Sequence, residues 1–447
     1  MLADRAPEGM AVQSEIGGDT MSMLERMRPL SRVQLTLRVT RCAALVLGLV
    51  ASLLGPLPAA ADDSEEAKNL GQALKEGKFS LGLRYRFEQV DDDRFAEDAH
   101  ASTLRTTIGY SSKPLHGFAA HLEVEDVTAI GGDAYDNAGA RDLGNGVGDR
   151  PVVADPELIE LNQAYLAYTG FADTELRAGR FERNLDNQRF IGAVGWRQNH
   201  QSFDGLAFDV DAIEDWQLRY VYLDRVHTVT GARQPLAGHL LNVGVETGIG
   251  RIAVYGYRLD YDDPGRFRFS SSTVGARLEG KREVAPGALG YLVEVAQQDD
   301  AGDNPVPTDV AYLHAMLDWA LGAAAGGWSF RVGLESIEGV GRAAFQFPLG
   351  TNHAFNGYAD KFLVTPDAGL EDLYARIAWG QGSWQAFADY HRFESDAGGV
   401  DYGSELDLQV TWATTWKQQL ALKAAFYDAD AFSTDTTKLM LWTSWAF

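Results

Sequence analysis

The chain has 447 residues, one cysteine and a formal net charge of −24. Such an acidic excess disfavours nucleic acid as a partner, and a single thiol excludes a disulfide framework. No uninterrupted apolar run of about 18 residues occurs past the N-terminal region, which argues against a bundle of transmembrane helices. Ten Trp, 17 Tyr and 47 Gly against 14 Pro instead suit a sheet-rich protein with aromatic belts.

The first element is a targeting segment. Arg26, Arg28, Arg32, Arg38 and Arg41 precede an apolar core from Cys42 to Leu54. Pro56, Pro58 and Ala59-Ala60-Ala61 follow, before Asp62-Asp63. Charge, apolar core and an A-x-A site in that order mark residues 1–61 as a secretory signal peptide, cleaved after Ala61. The alternative is a membrane anchor, for which the core is too short. Residues 1–20 read as an over-long start, because Met21, Met23 and Met27 can each initiate. Cleavage removes Cys42 with six Arg and five acids, leaving 33 basic and 58 acidic groups, a formal charge of −25. Residues 62–77, charged and mildly helical in pattern, form a short periplasmic lead-in.

From Lys78 to the C-terminus one pattern recurs. Phe79, Leu81, Leu83, Tyr85 and Phe87 alternate with Ser80, Gly82, Arg84, Arg86 and Glu88. A period of two places the two sets on opposite faces of a strand. Segments of this kind are expected near 79–88, 103–111, 118–127, 158–169, 174–181, 203–210, 216–225, 239–247, 251–261, 272–280, 289–298, 311–321, 328–336, 370–379, 384–393, 403–412, 419–428 and 436–447. Their connections alternate in length. Short ones include 111–117, 170–173, 211–215, 247–250, 322–327, 380–383 and 413–418. Long ones include 91–101, 128–155, 184–201, 226–237, 299–309 and 337–369. A soluble β-sandwich would need a second sheet to cover so many apolar faces, whereas lipid covers them all. The expected fold is therefore all-β: a transmembrane antiparallel up-and-down β-barrel of about 18 strands over 78–447, with short periplasmic turns and long extracellular loops. The last strand ends Trp445-Ala446-Phe447, which resembles the C-terminal signal of bacterial outer-membrane proteins. Its column Leu439, Leu441, Thr443, Trp445 and Phe447 should seal against Phe79 to Phe87.

Two loop-linked stretches resemble the alginate-export family of outer-membrane porins. One runs from Ala178-Gly179-Arg180-Phe181 through Asp186-Asn187-Gln188-Arg189-Phe190-Ile191-Gly192, Gly195-Trp196-Arg197-Gln198-Asn199 and Ser202-Phe203-Asp204-Gly205. The other runs from Phe347-Pro348-Leu349-Gly350-Thr351-Asn352-His353 through Phe355-Asn356-Gly357-Tyr358-Ala359-Asp360 to Thr365-Pro366 and Gly369-Leu370-Glu371-Asp372-Leu373-Tyr374. The resemblance implies an 18-stranded barrel with an electropositive constriction that passes an anionic polysaccharide. Outer-membrane lipid and periplasmic secretion-complex proteins would be its partners.

Strand parity places Arg84, Arg86, Arg105, Arg177, Arg219, Arg277, Arg331 and Arg376 inward. Arginine suits a carboxylate-bearing sugar, because its planar fork offers a bidentate contact. Inward acids compete for the same arginines: Glu88, Glu123, Glu279, Glu294, Glu335, Asp389, Glu405 and Asp407. Arg183, Arg189 and Arg197 lie in or beside the segment 184–201, which either folds inward as a constriction or stays outside, and Arg180 of the family-like stretch joins Arg189 and Arg197 as a candidate for the substrate path. Asn352, His353 and Asp360 make 337–369 a candidate second gating loop. The expected function is a channel for an anionic, alginate-like polysaccharide or oligosaccharide with an arginine-lined lumen; a general small-solute porin is the alternative. The acids and glycines of 128–155 fit no regular calcium loop. No H-E-x-x-H, G-x-S-x-G or phosphate loop occurs, so no enzyme activity, metal or cofactor is expected.

Overall fold

The computed structural model describes residues 66–322 and 327–447. The segment read as a signal peptide, with Cys42, and the first residues of the lead-in lie outside the described residues. A short helix, α1 (Leu70–Lys75), precedes the barrel. Asn69 caps it by accepting from the Gln72 N–H. Tyr110 then ties it to the first hairpin by donating to the Leu74 carbonyl at 2.6 Å.

The strands are β1 (Lys78–Asp92), β2 (Ala99–Ser111), β3 (Phe118–Ala134), β4 (Leu158–Tyr168), β5 (Thr174–Phe181), β6 (Ser202–Val210), β7 (Trp216–His227), β8 (Arg233–Thr247) and β9 (Gly250–Tyr261). They continue as β10 (Ser271–Val284), β11 (Gly287–Asp300), β12 (Asp309–Leu321), β13 (Trp328–Ile337), β14 (Leu370–Gln381), β15 (Trp384–Glu394), β16 (Asp401–Ala413), β17 (Gln418–Ala429) and β18 (Thr436–Ala446). Each pairs antiparallel with its sequence neighbours, and β1 also pairs with β18, so the 18-stranded sheet closes on itself. Closure leaves no edge strand, which a barrel in lipid requires. The seal follows the expected column: Leu83 faces Trp445, Tyr85 faces Thr443 and Phe87 faces Leu441. Phe447, past the end of β18, still exchanges both backbone hydrogen bonds with Leu81, at 2.9 and 3.2 Å.

The outer face is an apolar belt that includes Ile108, Leu122, Val254, Val274, Val332, Leu373, Leu408 and Leu441, all exposed on the protein surface. Trp216, Trp319, Trp328, Trp384 and Trp412 are exposed at the end of the barrel that carries the short turns. Trp384 and Trp412 stack there, with ring centroids 5.2 Å apart. An apolar band bordered by tryptophan is the signature of a lipid-facing barrel wall.

Three connections expected to be long are short: 93–98, 228–232 and 301–308. The flanking strands run on past the apolar belt, where polar residues on both faces erase the period of two. Three long loops remain, at 135–157, 182–201 and 338–369. The wall is low where β5 and β6, with 8 and 9 residues, meet the second of these. There the chain turns into the barrel.

Candidate functional site: a lumen narrowed by two inward loops

Residues 182–201 and 338–369 both fold into the lumen and join. Ile191 bridges Leu349 in parallel, and the Gly192 N–H donates to the Leu349 carbonyl at 2.9 Å. Thr351 N–H donates to the Gln188 carbonyl at 2.9 Å, and the Gln201 amide donates to Gly192 and Leu349 carbonyls at 2.8 and 3.0 Å. On one side the joined loops pack through aromatic rings. Phe190, Phe345 and Phe347 meet Tyr255, Tyr257 and Tyr312 of the wall, with centroids 5.0–6.0 Å apart. Aromatic pairs at this spacing each contribute about 0.5–1.5 kcal/mol beyond the area they bury.

On the opposite side the contacts are polar. Arg84 donates to the carbonyls of Gly195, Trp196 and Arg197 at 3.1, 2.8 and 3.1 Å. Arg86 donates to the Trp196 carbonyl at 3.0 Å and pairs with Glu88 and Asp155. Arg105 reaches the Gln198 carbonyl at 3.3 Å and the Glu125 carboxylate at 3.9 Å. Arg197 extends from the loop to Glu88 at 3.2 Å and Asp360 at 3.4 Å. Asp155, in the loop 135–157, accepts the Gln198 N–H at 3.0 Å. Burial opposes its ionisation, but Arg86, Arg197 and that N–H hold its carboxyl below the ordinary value.

The second loop is fixed by acids and lysines of the wall. Glu405 accepts the Ala359 N–H at 2.6 Å and Asp407 the Tyr358 N–H at 3.0 Å. Asp360 receives Lys438 at 2.7 Å and the His353 Nδ1–H at 2.7 Å. His353 Nε2 accepts from Lys423 at 2.9 Å. A lysine only donates and a carboxylate only accepts, so these two partners specify a neutral imidazole protonated on Nδ1. Burial and Lys423 accordingly push His353 well below its ordinary value, despite Asp360. Asp360 itself is buried, yet His353, Lys438 and Arg197 hold it well below the usual carboxylate range.

The arginines selected by parity are therefore largely engaged. Arg177 meets Glu175 at 2.6 Å, Arg219 meets Asp211 at 2.7 Å, and Arg331 meets Asp318 at 3.2 Å. Arg277 bridges Glu279 and Glu294 at 2.7 and 2.8 Å, and Arg376 is bidentate on Asp389. Arg180 is bidentate on Asp204, which also accepts from His227. Arg189 is buried between Phe347 and Phe355 and pairs with Glu335 at 2.8 Å. Asn352 donates to the Phe347 and Leu363 carbonyls at 3.1 and 2.9 Å.

Two chambers flank the joined loops. One of about 580 Å³ opens among the long-loop ends, lined by Arg197, Gln201, Arg233, Gln234, Asp263, Arg266, Asn352 and His353, among others. Its lining holds three arginines against one acid. Arg233 and Arg266 have no carboxylate partner within 4 Å among the described residues. The other chamber, about 330 Å³, is lined by Glu182, Asn184, Asn187, Gln188, Thr351 and neighbours. It lies toward the turn end, since Asp186 of the same segment pairs at 2.6 Å with Arg251 at the start of β9. Of the fourteen residues singled out in the sequence, Arg197, Asn352 and His353 line the larger chamber. Trp196, Lys423, Lys438, Arg233 and Arg266 were not singled out. The Gly195-Trp196-Arg197 run carried a signal for the first; the other four depend on how the loops fold.

Comparison with known proteins agrees with this architecture. The sequence profile described as alginate export matches residues 76–330. Pseudomonas aeruginosa OccK9 (OpdG) superposes with a TM-score of 0.68 at 15% identity, covering 84% of this chain and 99% of that one. Pseudomonas aeruginosa OpdK with vanillate gives 0.65 at 14% identity, with 84% and 99% covered. Acinetobacter baumannii OccAB4 gives 0.64 at 15%, with 85% and 100% covered. At such identities the likeness is one of fold. No curated protein sequence matches the chain. The barrel resides in the bacterial outer membrane, and the larger chamber, at the end of the long loops read from the sequence as extracellular, is its outer chamber. Since the matched segment spans more than half of its length, the chain belongs to the alginate-export family of outer-membrane channels.

Proposed function

We propose that this channel passes carboxylate-bearing saccharides of oligosaccharide size by passive diffusion. The observation that carries the proposal is the outer chamber. It combines Arg233 and Arg266, unpaired among the described residues, with the amide of Gln234 and the partly exposed indole of Trp196, beside the engaged Arg197, Gln201 and Asn352. Cations fit carboxylates, amides fit hydroxyls, and the aromatic face fits the apolar face of a sugar ring. Its volume of about 580 Å³ lies within the ordinary range of small-ligand sites, about 300–1,000 Å³. The family resemblance supports the anionic class. The joined loops support a short cargo over a long polymer.

A small-solute porin without saccharide preference is the second reading. It is favoured by the wall arginines, whose pairing with acids leaves little net field below the outer chamber. Block of single-channel current separates the two. Added oligogalacturonate should interrupt the current, while a neutral oligosaccharide of equal length should not. Equal block by both, or block by neither, would contradict the anionic-saccharide proposal.

A further inference from the structure

Among the described residues, Trp196 alone lines both chambers. The segment that carries it is locked through the backbone. Its own carbonyl receives Arg84 and Arg86 at 2.8 and 3.0 Å, and its neighbours' carbonyls receive Arg84 as well. The strip beside it is closed by the Ile191–Leu349 bridge and by Thr351, whose hydroxyl accepts from the Val194 N–H at 3.3 Å and donates to Gln188 at 3.0 Å. The indole is different. It is only half-buried and carries no side-chain hydrogen bond among the described residues. Stacking holds it in place: His353 lies parallel at a centroid distance of 3.2 Å, and the Arg197 and Arg86 guanidiniums lie over the ring at 4.0 and 4.6 Å.

We infer that the Trp196 side chain is the septum between the two chambers and sets the size limit of the channel. A solute leaving the outer chamber meets the joined loops, whose backbone is hydrogen-bonded at Ile191–Leu349, Gln188–Thr351 and Gly195–Arg197, and one aromatic side chain that lines both chambers. Rotation of that side chain about its own torsions joins the chambers without breaking a backbone contact. Turning the ring parts stacking contacts with His353, Arg197 and Arg86, whereas opening the rest of the loop pair breaks backbone hydrogen bonds and buried ion pairs, so the septum yields where the rest does not. The inference rests on the chain being a channel, and not on which cargo passes.

The test is single-channel conductance in potassium chloride, which reads the opening independently of cargo. Trp196→Ala should raise conductance roughly two-fold or more, because the narrowest section dominates the resistance of a pore. Trp196→Phe, which keeps a stacking ring of smaller area, should raise it by less. Trp196→Ala should also admit larger neutral sugars in a liposome-swelling assay. Folding is checked by the shift in gel mobility between unheated and heated samples. A folded Trp196→Ala barrel with unchanged or lower conductance would overturn the inference. Should that variant not fold, Trp196→Phe decides: a rise supports the septum and no change refutes it. A septum confirmed in salt alongside failure of oligogalacturonate block would remove the cargo proposal and leave this one standing.

Discussion

The two inward loops are held by contrasting chemistry, although the first also donates its His200 N–H to Glu125 at 2.9 Å. Residues 182–201 present carbonyl oxygens to a wall of cations, where Arg84, Arg86 and Arg105 of β1 and β2 donate to the carbonyls of Gly195, Trp196, Arg197 and Gln198. Residues 338–369 present N–H groups to carboxyls of the wall, where Glu405 and Asp407 of β16 accept from Ala359 and Tyr358. Irregular backbone inside a barrel has orphan donors and acceptors that must be satisfied. Charged wall residues supply the partners, and a charge-assisted hydrogen bond is roughly twice as strong as a neutral one. Inward charge in this barrel therefore either holds a loop, as Arg84, Arg86 and Arg105 do, or is paired within the wall, as Arg277, Arg331 and Arg376 are. Counting inward arginines overstates the positive field that a passing solute meets.

The largest effect should come from breaking the first grip. Arg86 is buried beside Glu88 and Asp155. Arg86→Met would strand buried carboxylates, costing about 3–5 kcal/mol. Urea unfolding in detergent micelles would measure the loss, and a cost near zero would show that the wall does not hold the loop. The second grip should be weaker. Glu405→Leu leaves the Ala359 N–H without its partner, at a cost of about 1–3 kcal/mol. Open-channel noise and protease cleavage within 338–369 should rise, with 182–201 unaffected.

A smaller effect concerns pH. An unfolded histidine titrates near about 6.5, whereas packed His353 stays neutral well below that value. As pH falls through about 6.5 the released loop binds a proton that the packed loop refuses, so packing loses up to about 1.4 kcal/mol per pH unit. Above that window the stability is fully present. Asp360, held well below the carboxylate range, stays ionised throughout and adds no slope there. Open-channel noise should therefore grow between pH 7 and 5 in the wild type and grow less in His353→Asn. The smallest effect on stability, within about 0.5 kcal/mol, should follow Arg233→Glu with Arg266→Glu, which touches neither grip. Their effect on reversal potential in a salt gradient should nevertheless be a shift toward cations. An unchanged potential would remove the outer chamber from the ion path.

All eighteen strands were legible in the sequence because lipid on one face and water on the other impose a strict period of two, as in Phe79 to Phe87. Where the wall rises beyond the lipid that constraint lapses, and the ends of β1, β3 and β8 escaped notice. The inward direction of Arg84 or Arg376 was legible from parity, but the partner was not. Asp389 lies on the adjacent strand and could be named as a candidate, whereas Arg84 binds carbonyls more than a hundred residues away. Trp196 sits in a loop without periodicity, so its place between two chambers follows only from the joining of two distant segments.

That joining is tested most directly by a disulfide. Ile191 and Leu349 face each other across a parallel bridge, and Cys42 is the one native cysteine. In a Cys42→Ser background, Ile191→Cys with Leu349→Cys should cross-link under mild oxidation in the folded barrel and leave its heat-modifiable gel mobility intact. Failure to cross-link in a folded barrel would contradict the account, because the two loops would then not meet within the lumen.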